Sequence, residues 1–345
     1  MVYFKHYARK VNDINIKKTL GLLVCCLFLF AIMPSCQFSP NVPIPKTQFL
    51  FNTIVRLTVY DKQDEAILND TFTWMRQYEA LFSRSVPQSD LDRINHAQGV
   101  PIEVDAQTAH LLERSLHFKT LSNGAFDVTA GALLSLWNFS SENAQVPSSS
   151  AIEAALGAVG RDIHIAWNEK NAFVTVDEGT QLDVGAIAKG YIADQTVQYL
   201  KERGVDRAIV DLGGDISLFG EKPFTVGIRD PFNGPDVSIA ALQISNTCVV
   251  SSGAYERFFM QDDVAYHHIL DLTTGYPAQS DLAGITVVCE DGARADAMST
   301  ILFILGKEKG YALASSEPDL EALFIDSDGN ITYTEGLEGK VEILR

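Results

Sequence analysis

The order of its periodicities is what most restricts how this chain can fold. From residue 48 onward, short runs alternating apolar and polar residues, the mark of half-buried strands, are mixed irregularly with runs of helical spacing. Strand signals fall at residues 50–60, 163–167, 173–176, 208–212, 224–228, 240–245, 268–272, 284–288, 322–325 and 331–334. Helical signals fall at 66–82, 106–122, 152–159, 187–203, 295–305 and 307–315. A doubly wound parallel sheet needs a strict strand–helix–strand alternation. None is present, so the pattern predicts an α+β protein with mixed or antiparallel sheets and packed helices. No low-complexity linker or fixed-period repeat divides residues 48–345, which read as one compact unit.

Ahead of this unit the chain carries an address. Lys5, Arg9, Lys10, Lys17 and Lys18 precede an apolar run over residues 20–33, too short for a comfortable membrane span. The run ends at Met33-Pro34-Ser35-Cys36. A small residue before a cysteine at this point resembles a bacterial lipoprotein cleavage box; a plain secretory signal or an uncleaved anchor is the alternative. The expectation is a signal peptide over 1–35, an acylated Cys36 and a tether over 36–47 carrying Pro40, Pro43 and Pro45. The body would then sit at the bacterial cell envelope, lipid-anchored to a membrane and facing the periplasm or the exterior.

The formal net charge is -17, and no Lys/Arg-rich stretch follows the first twenty residues, which excludes nucleic acid as the main ligand. Five Cys and seven His without a CxxC pair argue against a zinc ribbon, an iron–sulfur site or a disulfide scaffold. Cys248 and Cys289 lie in apolar runs and read as buried core thiols. An acidic chain that binds an anion needs local help from a cation, a helix N-terminus or single basic residues.

Five polar, glycine-marked segments interrupt the apolar pattern. GAFDVTAG at 124–131 offers backbone freedom, an aromatic ring and a carboxylate, or an ordinary turn. LDVGAIAKGY at 182–191 puts a glycine turn before a helix with Lys189 near its start. That is phosphate-binding logic without Walker spacing, and a solvated helix lysine is the alternative. VDLGGD at 210–215 runs a strand into a double-glycine turn flanked by acids, a site or a capped turn. YHHILDLTTGYP at 266–277 sets His268 and Asp271 three apart, suiting a general base, a phosphate contact or a surface hairpin. RADAMST at 294–300 opens an apolar helix with Asp296 and Thr300 at i and i+4, hence on one face. Hard oxygen ligands of that kind suit Mg²⁺; a cap at Asp296 and a back-bonding Thr300 would explain the same pair.

In this order, and together with VSSGAYERF at 250–258, the segments resemble the ApbE family of FAD:protein FMN transferases over nearly all of residues 48–310. The resemblance implies a single ApbE-like, T-fold-like catalytic unit that binds one FAD with Mg²⁺ near the pyrophosphate. It implies a metal held by Asp296, Thr300 and the Ala186 carbonyl, with Ser299 as a neighbour. FAD contacts would come from Phe51, Ala125, Phe126, Asp127, Asp183, Lys189 and Ile269. His268 would be general base or phosphate-positioning group, Asp271 its support, and Lys189 the charge neutraliser. The implied reaction is Mg²⁺-dependent transfer of FMN from FAD to an acceptor threonine with release of AMP. The acceptor would be an envelope electron-transfer subunit such as one of a sodium-pumping NADH:quinone reductase. An FAD pyrophosphatase, a non-catalytic FAD-binding lipoprotein and a structural envelope lipoprotein are the competing functions. The sequence departs from the family pattern at Ser85, where an aromatic is expected, and at Ala254, where an acid is common.

Overall fold

The computed structural model describes residue 43 and residues 45–61, 65–139, 141, 143–169 and 171–344. The expected signal peptide and Cys36 lie outside the described residues. Among the described residues no helix is long and apolar enough to cross a membrane.

Strands β1 (Lys46–Leu50) and β2 (Thr53–Val59) form an antiparallel hairpin, where the alternation over 50–60 predicts one strand. The turn residues Phe51 and Asn52 have φ of 53° and 57°, the left-handed pair that tight two-residue hairpins use. No glycine marks this turn, so the sequence gives no punctuation there; the Phe51 amide is held by Glu79 Oε1 at 3.1 Å. Lys46 and Thr47, at the end of the expected tether, are already strand residues.

The helical signal over 66–82 becomes α1 (Glu65–Met75), a 3₁₀ turn and α2 (Glu79–Phe82). Then follow α3 (Asp90–Asn95), β3 (Ile102–Val104), α4 (Ala106–Leu121), α5 (Gly131–Trp137), α6 (Ser149–Leu156), β4 (Ile163–Trp167), β5 (Ala172–Val176) and α7 (Ala188–Glu202). A strand-rich half supplies β6 (Ala208–Leu212), β7 (Asp215–Phe219), β8 (Phe224–Arg229), β9 (Ser238–Ile244), β10 (Thr247–Gly253), β11 (Phe258–Gln261), β12 (Val264–His267) and β13 (Leu282–Cys289). The chain closes with α8 (Gly292–Ser316), β14 (Leu320–Asp326), β15 (Ile331–Tyr333) and β16 (Val341–Ile343).

Eight strands make the main sheet, in the order β1-β2-β6-β7-β10-β13-β14-β15, every pair antiparallel. Two three-stranded sheets, β16-β9-β8 and β3-β5-β4, and the β11-β12 pair stand apart from it. This is the α+β architecture expected from the sequence. Because side chains alternate across a strand, β10 feeds two cores. Cys248 and Val250 join Ile192 of α7 and Met298, Ile301 and Leu302 of α8. Val249, between them, joins Val226 and Leu242 of the small sheet. The main sheet is therefore covered by helices on one face and by strands on the other. Cys248 and Cys289 are buried free thiols, as their apolar runs indicate.

The helical signals at 295–305 and 307–315 meet at Gly306, and α8 breaks there, at φ 75° and ψ -179°. Residues 268–272 are not a strand; Leu270 makes only an isolated bridge to Pro277. Asp271 Oδ1 accepts from the Thr273 amide and hydroxyl at 2.8 and 2.6 Å, so turn chemistry overrides the alternation.

Candidate active site

Two close approaches of backbone assemble the site. Ala130 bridges Gln181, the Gly131 amide donates to Gln181 O at 2.9 Å, and the Asp183 amide donates to Val128 O at 2.7 Å. A Cβ on residue 131 would lie 2.5 Å from the Gln181 carbonyl oxygen, so only glycine permits this seam between the 124–131 and 182–191 segments. At Gly190 a Cβ would lie 2.0 Å from the Gly292 carbonyl oxygen, and α7 meets the start of α8 backbone to backbone. The Gly190 amide then reaches Asp296 Oδ2 at 3.1 Å.

Between these seams lies a cavity of about 300 Å³ whose wall draws on all five glycine-marked segments. Ala125, Phe126, Asp127, Asp183, Ala186, Lys189, His268, Ile269, Asp296 and Thr300 line it. The expected set is thus mostly brought together. Three members are not. Phe51 sits in the β1–β2 turn and packs on the core, and Thr53, two residues on, is the hairpin residue at the cavity wall. Asp271 is occupied in its own turn. Ser299 is fully buried and bonded to the Asp296 carbonyl and to Ser252 Oγ, each at 2.8 Å.

Charge is concentrated at the base. Lys189 Nζ pairs with Asp215 and lies 3.9 Å from Asp296 Oδ1. Burial opposes the lysine's charge, yet the two carboxylates outweigh it and hold the pKa above the ordinary lysine value. Burial, then the charge of Asp215, pushes Asp296 up to about 8. One ammonium serves two carboxyls that are 3% and 4% exposed, so the second is held there only with a proton or with a further cation. The Thr300 hydroxyl has no hydrogen-bond partner among the described residues; it does not back-bond to the helix, and with Asp296 it faces the cavity.

His268, Glu256 and Arg257 supply a further part of the wall. His268 Nδ1 lies 3.3 Å from the Arg257 carbonyl oxygen, and burial followed by the Arg257 charge lowers the ring's pKa to about 4. The ring is neutral at pH 7. Glu256 opens on the cavity with its side chain still in contact with solvent; partial loss of hydration pushes it up to about 6 against the pull of Lys189. Arg257 has no carboxylate within 4 Å among the described residues, whereas Arg84 is tied to Asp183 at 2.9 Å. Asp127 is neutralised by Lys119 at 2.9 Å and accepts from the Thr129 amide and hydroxyl.

Several wall residues escape a sequence reading. Asp215, Glu256 and Arg257 lie inside segments that the sequence marks, but nothing in their spacing tells which side chain turns inward. Arg84 carries no motif at all. It bonds Gly131 O and Ser135 Oγ, both at 2.9 Å, and fills wall beside Ser85 where an aromatic was expected. Where Ala254 lacks the common acid, Glu256 brings a carboxylate to the cavity two residues later.

Fold and site together describe an antiparallel α+β enzyme whose cavity gathers two buried carboxyls and a partly exposed lysine at a helix start. The ApbE family model matches residues 51–324. The chain is 35% identical to the FAD:protein FMN transferase of Treponema pallidum, over 94% of this chain and 95% of that one. It is 35% identical to that of Klebsiella pneumoniae, over 82% and 89%. Its fold is similar to the crystal structure of the ApbE protein of Thermotoga maritima, with TM-score 0.78, 32% identity and coverage of 87% and 99%. The apo Pseudomonas stutzeri flavinyl transferase ApbE gives TM-score 0.74 at 27% identity, over 87% and 97%. The chain belongs to the ApbE family and is a transferase.

Proposed function

We propose that this enzyme transfers FMN from FAD to a threonine hydroxyl of an acceptor protein, releases AMP, uses Mg²⁺, and works at the bacterial cell envelope on a lipid anchor at Cys36. The observation that carries the reading is the Lys189–Asp215–Asp296 cluster, set inside a cavity at the start of α7. The names of the relatives supply the substrate class, and the N-terminal pattern supplies the location.

The donors fit a magnesium ion. Asp296, the Thr300 hydroxyl and Ala186 border one cavity, all can offer hard oxygen, and a cation there would take the place of the proton that Asp296 otherwise holds. When bound there, Mg²⁺ would offset charge on the pyrophosphate of FAD. Lys189 and Arg257 would bind and orient the phosphates, while the start of α7, where Asp296 accepts from the Gly190 amide, adds its positive dipole end. The threonine oxygen attacks the FMN phosphorus, forming a new P–O bond. The bond from that phosphorus to the bridging oxygen breaks, and AMP leaves with the oxygen. His268, neutral and with Nδ1 turned to the Arg257 carbonyl, takes the hydroxyl proton on Nε2.

The test is to incubate the body from residue 37 with FAD, Mg²⁺ and the soluble threonine-bearing domain of an envelope electron-transfer subunit, following intact mass. A gain of one FMN less water, stopped by chelator, supports the reading. FMN and AMP released with the acceptor unchanged would make the chain an FAD pyrophosphatase, and intact bound FAD would make it a binding protein.

A further inference from the structure

The β11–β12 hairpin belongs to no other sheet, and both of its edges are without a partner strand among the described residues. Its side chains divide by face, as strand alternation requires. Phe259 and Tyr266, directly opposite, stack at 5.5 Å and pack on Trp137 at 6.2 and 5.8 Å. That face fixes the hairpin to the body. On the other face Phe258 is 48% exposed and Met260 59% exposed, so two large apolar side chains are held in water by a rigid support.

The open end of the hairpin is cavity wall. Glu256 and Arg257 lead into β11, and His268 follows β12, its amide donating to the Arg257 carbonyl at 3.0 Å to close the base. The exposed face is therefore continuous with the place where an incoming hydroxyl has to lose its proton. A phosphate donor fills a cavity; a macromolecular acceptor must also rest on the surface around its mouth. We infer that the Phe258/Met260 face of this hairpin is the docking surface for the acceptor polypeptide, which lies along it as an extended segment with apolar residues beside the reactive hydroxyl. The unpaired strand edges supply main-chain hydrogen bonds to such a segment, and the two exposed side chains supply apolar contact.

This inference rests on the acceptor being a protein, and the experiment separates the two claims. Phe258→Ser/Met260→Ser enzyme and wild type would be compared with the same threonine-bearing acceptor domain, together with FAD binding by flavin fluorescence. The expected result is a KM for acceptor raised on the order of tenfold, with kcat at saturating acceptor and the Kd for FAD within about twofold of wild type. A photo-crosslinking residue at 258, which keeps an aromatic ring, is expected to capture the acceptor domain. Unchanged acceptor KM with no crosslink would overturn the docking surface while leaving the transferase reading intact. Loss of binding to anionic phospholipid vesicles in the double variant, at unchanged acceptor KM, would reassign the face to a membrane and equally overturn it. Wild type that never modifies the acceptor would instead defeat the transferase reading.

Discussion

The amide of Gly190 donates to the carboxylate of Asp296 at 3.1 Å, joining residues 106 apart in sequence and tying the start of α7 to the first turns of α8. Lys189 and Asp296 owe their proximity to this contact, and the contact exists because residue 190 has no side chain. Gly190→Ala should therefore part the helices. Overpacking of this kind costs about 1–3 kcal/mol, so a lower Tm is expected together with loss of turnover. A variant of wild-type stability and activity would show that the seam does not set the site.

Asp296→Asn should separate stability from activity. It removes one of two buried carboxylates that share a single ammonium, and burying paired charges is often no better than burying neutral groups. Thermal unfolding without Mg²⁺ is expected at or above the wild-type temperature. Turnover should fall on the order of 10²–10³-fold, the usual effect of deleting a preorganised charge-stabilising group. Full activity would remove Asp296 from the reaction.

His268→Gln keeps a polar side chain beside Arg257 but cannot take a proton. A fall in kcat of about 10²–10⁴ is expected, the range for a general base, with FAD still bound. A loss confined to FAD affinity would make the histidine a phosphate contact alone.

Asp194 gives a pH signature away from the cavity. Its carboxylate accepts from the Gly292 and Ala293 amides at 2.8 and 3.1 Å, yet burial and then Asp291 push it up to about 6 from 3.8. A carboxyl whose folded pKa is raised holds its proton longer in the folded state, so its contribution falls as pH rises from about 4 to about 6 and is flat above. Asp194→Asn should remove that part of the slope in urea unfolding across this window. An unchanged slope would mean that Asp194 is solvated.

Much of the site could be read because helix starts and glycine turns have local signatures. Lys189 near the head of α7 and the Asp296/Thr300 pair on one face of α8 follow from spacing, and both face the cavity. An acid three residues from a histidine suits a catalytic pair and a turn equally well, and in the fold the Asp271 carboxylate is bonded within its own turn. Asp215, Glu256 and Arg257 were hidden for the converse reason: long-range packing determines which way a loop side chain points. The same limit applies to the fold. β11 and β12 give no strand signal because their exposed face carries Phe258 and Met260, which breaks the apolar-in, polar-out alternation, and because Asp262 and Asp263 form the turn without glycine.

The most direct measurement is the ratio of AMP released to acceptor modified, counted in one reaction of enzyme, FAD, Mg²⁺ and acceptor domain. Transfer through this cavity requires one AMP for each FMN joined to threonine, with both falling together in Asp296→Asn enzyme. AMP in large excess over modified acceptor, accompanied by free FMN, would contradict it and make water the true acceptor.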